Sequence, residues 1–322
     1  MPETRQARTR TAAPFPATQD DQWRSDRLDL DAYLRRVGAD APRAADGAAL
    51  AALHRAHLGA IPFENLDVIL GRGISVDLEH VQAKLVDRSR GGYCYEHATL
   101  FAAVLERTGF SVDRLLARTG DPLEHPRPRS HLVLLVASPA TGERWLADVG
   151  FGSGLLQPLA LRADGPHEQG AWTYELVRGR SPRDTAWRLR EDDGTGWTTI
   201  LTFTEEPQYA VDVEVANENT STSPRSPFTQ RPVVVVKDET HVRRLLGREH
   251  TVEAPGRPTA HTVLTDAEVA QVLHEVFADA LSADEVTAIV ATLPPPGGRG
   301  PVAPGLPSTP QDAGAAGDGA GR

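Results

Sequence analysis

The sequence predicts an α+β fold in three successive parts, and three observations lead there. From Leu28 to about Arg118 apolar residues recur at helical spacing. Between about Thr119 and Tyr209 short Val/Leu/Trp/Thr-rich runs alternate with Gly, Pro and Asp turns, the pattern of an antiparallel sheet. Beyond Val211 a single PVVVV run stands among helical stretches, as in a mixed α/β lobe. The expected boundaries are 21–118 for a helical subdomain, 119–210 for a β subdomain and 211–293 for an α/β lid. Thr/Arg/Pro/Ala-rich residues 1–20 and Pro/Gly/Ala-rich residues 294–322 offer almost nothing to bury and are expected to be disordered.

Taken in order, LDLDAYLRRVG and DGAALAALHRAHLGA read as the first helices, the second with Leu50, Leu53 and Leu58 on one face. CYEHATLFAAVLERTG follows, with Leu100, Phe101, Val104 and Leu105 at helical spacing and Gly109 as the stop. The run from His131 to Ala137 reads as a strand, Ser138-Pro139-Ala140-Thr141-Gly142 as a turn, and Glu143 to Asp148 as the returning strand. WTYELVRG, TAWRLRED and GWTTILTF complete a small antiparallel barrel or sandwich. A polar loop is expected after Val211, then the Pro232–Val236 strand and helices over 266–280 and 283–293.

A chain of 322 residues with 40% hydrophobic content can bury one large core or several smaller ones. Its net charge of −10 argues against nucleic acid or an anionic membrane as partner. No stretch has the length and apolarity to cross a bilayer, the first residues hold no apolar signal region, and one cysteine suits a reducing compartment. A cytoplasmic protein is expected.

That one cysteine, Cys94, falls in Arg90-Gly91-Gly92-Tyr93-Cys94-Tyr95-Glu96, at a helix start where unpaired N–H groups and the helix dipole favour a thiolate. The two glycines let the backbone turn there and leave the sulfur uncrowded. A lone cysteine is more often a small buried hydrophobe, so a partner base decides the matter. A hairpin folding symmetrically about Pro139 and Ala140 sets His131 directly opposite Asp148, with Cβ atoms within roughly 5 Å. Cys94, His131 and Asp148 would then form a nucleophile, base and orienter. His54 and His57 have the spacing of two metal ligands on a helix, but no third ligand clusters with them and no metal is assigned. Gly150-Phe151-Gly152-Ser153-Gly154 lacks the lysine of a phosphate loop and reads as a tight exit from the hairpin.

IPFENLD (61–67), RGGYCYEH (90–97), RSHLVLLV (129–136), WLADVGFG (145–152) and NTSTSPRSPF (219–228) together resemble the arylamine N-acetyltransferases in order and spacing, over most of Leu28 to Val290. The sequence departs from that pattern at His97-Ala98-Thr99, where many members carry Asn-Gly. The resemblance implies a cysteine-protease-like core made of the helical subdomain, an antiparallel β-barrel and the lid, with Cys94, His131 and Asp148 as catalytic triad. It implies acetyl-CoA as co-substrate, a small arylamine or hydrazine as acceptor, and ping-pong transfer through a Cys94 thioester. Phe63 and the loop from Gly120 to Arg129 are then expected to line the acceptor pocket. Thr220, Ser221, Thr222, Ser223 and Arg225 are expected to receive part of CoA, against the alternative of a plain polar surface loop. Three rival readings stay open: an amide synthase closing a macrolactam in ansamycin-type polyketide biosynthesis, a transglutaminase-like cysteine peptidase, and a non-catalytic binding protein.

Overall fold

Asp29 and Asp46 each accept a hydrogen bond from the amide three residues on and so start helices α1 (Leu30–Val37) and α2 (Gly47–Ala60). The structure is a computed structural model and describes residues 22–179 and 184–294. Residues 1–20 and the tail beyond Pro294, both expected to be disordered, lie outside the described residues. After α2 come the two-residue strand β1 (Phe63–Glu64), the short helices α3 (Leu66–Ile69) and α4 (Leu78–Gln82), and a π turn at Ala83–Asp87. Helix α5 (Cys94–Arg107) follows. It is buried from Cys94 through Leu105, as a helix surrounded by other elements must be.

Gly109, at φ 93°, breaks the chain after α5, and the next segment departs from the sequence-based expectation. Ser111–Thr119 is a strand, β2, so the helical part ends near Gly109 rather than at 118. The cause is a long-range partner: Ser111 to Ala117 pair in register with Ala137 to His131 of β3 (His131–Ala137). Strands β4 (Arg144–Ala147), β5 (Leu159–Ala160), β6 (His167–Gln169), β7 (Trp172–Arg178), β8 (Trp187–Asp192) and β9 (Trp197–Phe203) complete a barrel-like sheet. Its order is β5-β4-β3-β2-β9-β8-β7-β6, antiparallel at every junction.

The polar loop expected after Val211 is instead helix α6 (Ala210–Thr222). Three of its polar residues face inward: Asn217, Thr220 and Ser221 are buried, and the Thr220 and Ser221 hydroxyls donate to carbonyls one turn back. The lid holds more sheet than the PVVVV run alone announced. Strands β10 (Val233–Lys237), β11 (Val242–Leu246), β12 (Glu249–Glu253) and β13 (Ala260–Val263) follow one another, and β1 joins their free edge through Phe63↔Val235. Helices α7 (Asp266–Phe277) and α8 (Ala283–Ala291) cover that sheet with Val269, Leu273, Phe277 and Ile289.

A buried ion cluster ties these parts together behind α5. Lys84 Nζ lies 2.8 Å from Glu96 and 3.1 Å from Asp67, and Arg90 lies 3.0 Å from Glu64 and 3.5 Å from both Asp67 and Glu285 of α8. Removing one partner from such a cluster strands the others in a low-dielectric interior. Arg90→Met is therefore expected to lower stability by about 3–5 kcal/mol. Urea denaturation checks this, with a reduced midpoint at unchanged slope as the expected result.

Candidate active site

Cys94 is the first residue of α5, and the Tyr93 amide before it donates to the Glu96 carboxylate at 3.0 Å, fixing the start of the helix. The turn into that helix runs so close to its neighbour that a Cβ on Gly91 would fall 2.2 Å from the Pro62 carbonyl oxygen. From the other side, a Cβ on Gly150 would lie 2.8 Å from Cys94 Cα. The two glycine positions let the helix start, the 61–67 segment and the hairpin exit meet at the sulfur.

The hairpin brings His131 and Asp148 together by a different register from the one predicted. Leu134 pairs with Ala147 and Ala137 with Arg144, so the turn is centred between Ala140 and Thr141, and His131 falls in line with Gly150 rather than Asp148. The turn closes through Ser138 N–H to Glu143 O and Gly142 N–H to Ser138 O, with Gly142 taking the left-handed step at φ 73°. Each partner moves by two residues, which preserves the face of the sheet. Asp148 becomes a diagonal neighbour, still within reach of long side chains. Its Oδ2 lies 2.8 Å from His131 Nε2.

Both oxygens of Asp148 are engaged, since Oδ1 accepts the Gly150 amide at 2.9 Å. His54 adds a support that the sequence reading missed. Its Nδ1 donates to the Leu156 carbonyl at 3.1 Å, which leaves Nε2 to accept the Asp148 amide at 3.3 Å. His54 thus serves the backbone of Asp148, while His57 turns to Tyr33 and His97, so the two histidines share no ligand position. Among the described residues no group of three or more His, Cys, Asp and Glu could hold a metal ion.

Cys94, His131 and Asp148 are respectively 2, 4 and 3% exposed, so their charges interact with little screening. Burial alone would push the His131 imidazole down. The Asp148 charge and the hydrogen bonds to Asp148 and Cys94 outweigh it and raise its pKa to about 10. With Nε2 on Asp148, Nδ1 is the ring nitrogen left to exchange a proton with Cys94, whose Sγ lies 3.9 Å from the Ser130 carbonyl oxygen.

Cys94 and His131 open onto a cavity of about 520 Å³. Phe63, Phe151 and Phe228 supply aromatic walls, and Phe151 meets the His131 ring edge-on at 5.4 Å between centroids. Arg127 and Pro128 from the loop before β3 lie at the cavity, as do Thr220, Ser223 and Arg225. Ser221 and Thr222 do not line it. Their hydroxyls donate to the Asn217 and Glu218 carbonyls within α6, as that of Thr220 does to Ala216. Asn65 holds the lid loop over this cavity, donating to the Phe228 and Arg231 carbonyls at 2.7 and 2.9 Å and accepting the Val233 amide at 2.7 Å.

Residues 46–286 match the N-acetyltransferase family model. The arylamine N-acetyltransferase of Mycolicibacterium smegmatis is 40% identical over 256 residues, 77% of this chain and 90% of the relative. The crystal structure of the Nocardia farcinica arylamine N-acetyltransferase is similar at a TM-score of 0.79, with 39% identity over 85% of this chain and 98% of the other. A Mycobacterium marinum arylamine N-acetyltransferase in complex with CoA is similar at a TM-score of 0.74, with 30% identity over 82% of this chain and 99% of the other. None of the described helices is long and apolar enough to cross a membrane.

The pairing of His131 with Asp148 carries a pH signature. A histidine whose pKa is higher folded than unfolded stabilises the fold fully below the unfolded value, near 6.5, and loses that contribution as pH rises towards about 10. The melting temperature is expected to fall across this window. In Asp148→Asn, which removes the charge that raises the imidazole, differential scanning calorimetry should find most of that fall abolished.

Proposed function

The chain belongs to the arylamine N-acetyltransferase family; on that premise, that it transfers an acetyl group from acetyl-CoA to the nitrogen of an arylamine, we propose that transfer proceeds in two half-reactions through a thioester on Cys94. The observation that carries this reading is the 2.8 Å bond between His131 and Asp148 beside a helix-starting thiol. His131, held by Asp148, takes the Cys94 proton as the sulfur is engaged and stands as imidazolium when attack begins. The thiolate attacks the acetyl carbonyl of acetyl-CoA, and the oxyanion formed meets the backbone N–H of Cys94 at the helix start. The carbon–sulfur bond to CoA then breaks, and the imidazolium gives its proton to the departing CoA thiolate.

Acetylation changes the base. Once Cys94 is a thioester, its charge and its hydrogen bond no longer raise the imidazole pKa, so His131 becomes neutral more readily and accepts a proton from the attacking amine. Collapse of the second tetrahedral intermediate expels the Cys94 thiolate and restores the pair. Phe63 and Phe151 line the cavity with Cys94 and suit a flat aromatic acceptor. Arg127 and Arg225 suit the phosphates of CoA, with the Ser223 hydroxyl beside them. The reaction needs Cys94 reduced, which fits a cytoplasmic setting.

Mass spectrometry tests the proposal. Acetyl-CoA without acceptor is expected to add one acetyl group at Cys94 and release CoA in equal amount, and an arylamine or hydrazine then removes the acetyl group. Loading from a carrier-bound polyketide thioester but not from acetyl-CoA would contradict it and favour macrolactam synthesis; peptide cleavage with neither donor would favour a peptidase. Cys94→Ala should load nothing. Asp148→Asn should keep the fold by circular dichroism and lose about 10⁴-fold in kcat, as the same change does in a serine-based triad.

A further inference from the structure

Three buried polar side chains run in a line behind the cavity and take no part in the Cys94–His131–Asp148 arrangement. Tyr33 Oη lies 3.0 Å from His57 Nδ1, His57 Nε2 lies 2.8 Å from His97 Nδ1, and His97 Nε2 lies 3.3 Å from the Pro62 carbonyl oxygen. Tyr33, His57 and His97 are at most 1% exposed.

The chemistry of the last member fixes the direction of the whole line. A carbonyl oxygen only accepts, so His97 Nε2 carries its proton. A neutral imidazole has one N–H, so His97 Nδ1 accepts, and the proton in that contact belongs to His57 Nε2. His57 Nδ1 is then an acceptor, filled by the Tyr33 hydroxyl. Neutrality follows from the site: burial lowers His57 well below its ordinary range and takes His97 down to about 4.

The line ends on the residue next to Phe63. Pro62 also accepts the Gly92 amide at 3.3 Å, and the Glu64 amide donates to the Gly92 carbonyl at 2.7 Å, so the Phe63 backbone is held against the Cys94 loop from both sides. The Phe63 ring lies parallel to the His97 ring, 9° between planes and 6.4 Å between centroids. The same ring lines the cavity with Cys94.

We propose that Tyr33, His57 and His97 form a one-way hydrogen-bond chain that positions Phe63 and so sets which arylamines the cavity accepts. This rests on the reading of Phe63 as a wall of the acceptor pocket. The three are positioning residues: none reaches the sulfur, and their effect falls on the acceptor half-reaction rather than on acetylation of Cys94.

Tyr33→Phe removes only the hydroxyl and leaves a buried acceptor on His57 unmatched. The ratio of acceptor KM values between a bicyclic and a single-ring arylamine is expected to shift about tenfold, while acetylation of Cys94 without acceptor stays within about twofold. His97→Gln, whose amide still donates to Pro62, should restore the wild-type ratio that His97→Leu loses, and this pair decides the matter if Tyr33→Phe does not fold. Imidazole ¹⁵N NMR of the wild type at about pH 7 should find His57 and His97 both neutral and both protonated on Nε2. A His57 protonated on Nδ1 overturns the proposal. So does a fall in acetylation equal to the fall in acceptor transfer, which marks a general packing role. The two possible failures separate: a wild-type Cys94 that acetyl-CoA never acetylates sinks the functional reading, whereas normal acetylation with unchanged selectivity in the variants sinks this one.

Discussion

No side chain fits between Gly150 and the main chain of Cys94, and the arrangement of the site depends on that contact. A Cβ there would sit 2.8 Å from Cys94 Cα and 2.9 Å from its carbonyl oxygen, so the hairpin exit can lie directly on the first turn of α5 only as glycine. Two residues upstream, Asp148 is thereby held at the depth of the sulfur. The amide of the same Gly150 completes the aspartate's hydrogen bonding. A single backbone approach thus sets both the distance between helix and sheet and the direction of the carboxylate.

The IPFENLD segment does the same work from the opposite side. Phe63 enters the cavity, Glu64 pairs with Arg90, Asn65 pins the lid loop and Asp67 completes the ion cluster with Lys84. Five consecutive positions, 63 to 67, therefore join all three parts of the chain; the fourth, Leu66, belongs to the lid core. Burial of so many charges stabilises only while every partner is present, which makes the segment intolerant of change away from the sulfur.

Much of this was legible in the sequence because it rests on local chemistry. The helix start at Cys94, the strand from His131 and the glycine-rich exit depend on neighbours within a turn or two, and the structure has each of them. What the sequence hid depends on distant partners. Ser111–Thr119 is a strand because β3 pairs along it, and the polar α6 can pack as a helix because Asn217 is held between Tyr93 and the Ile74 carbonyl while the buried hydroxyls are satisfied on the helix's own carbonyls. The hairpin register differs from the one centred on Pro139 and Ala140 for a narrower reason: Gly142 takes the left-handed position and moves the turn. The two side chains still meet because a two-residue change of partner keeps the same face. His54 and His57 were visible only as a spacing. Their roles required knowing that Leu156, Asp148, Tyr33 and His97 surround them.

The central physical claim is an imidazolium at His131, held by Asp148 next to the Cys94 sulfur. Imidazole ¹⁵N chemical shifts of the resting protein at about pH 8 measure it directly. Two protonated ring nitrogens on His131, giving way to one after Cys94 is acetylated, are expected. A His131 already neutral in the resting protein at that pH would contradict it.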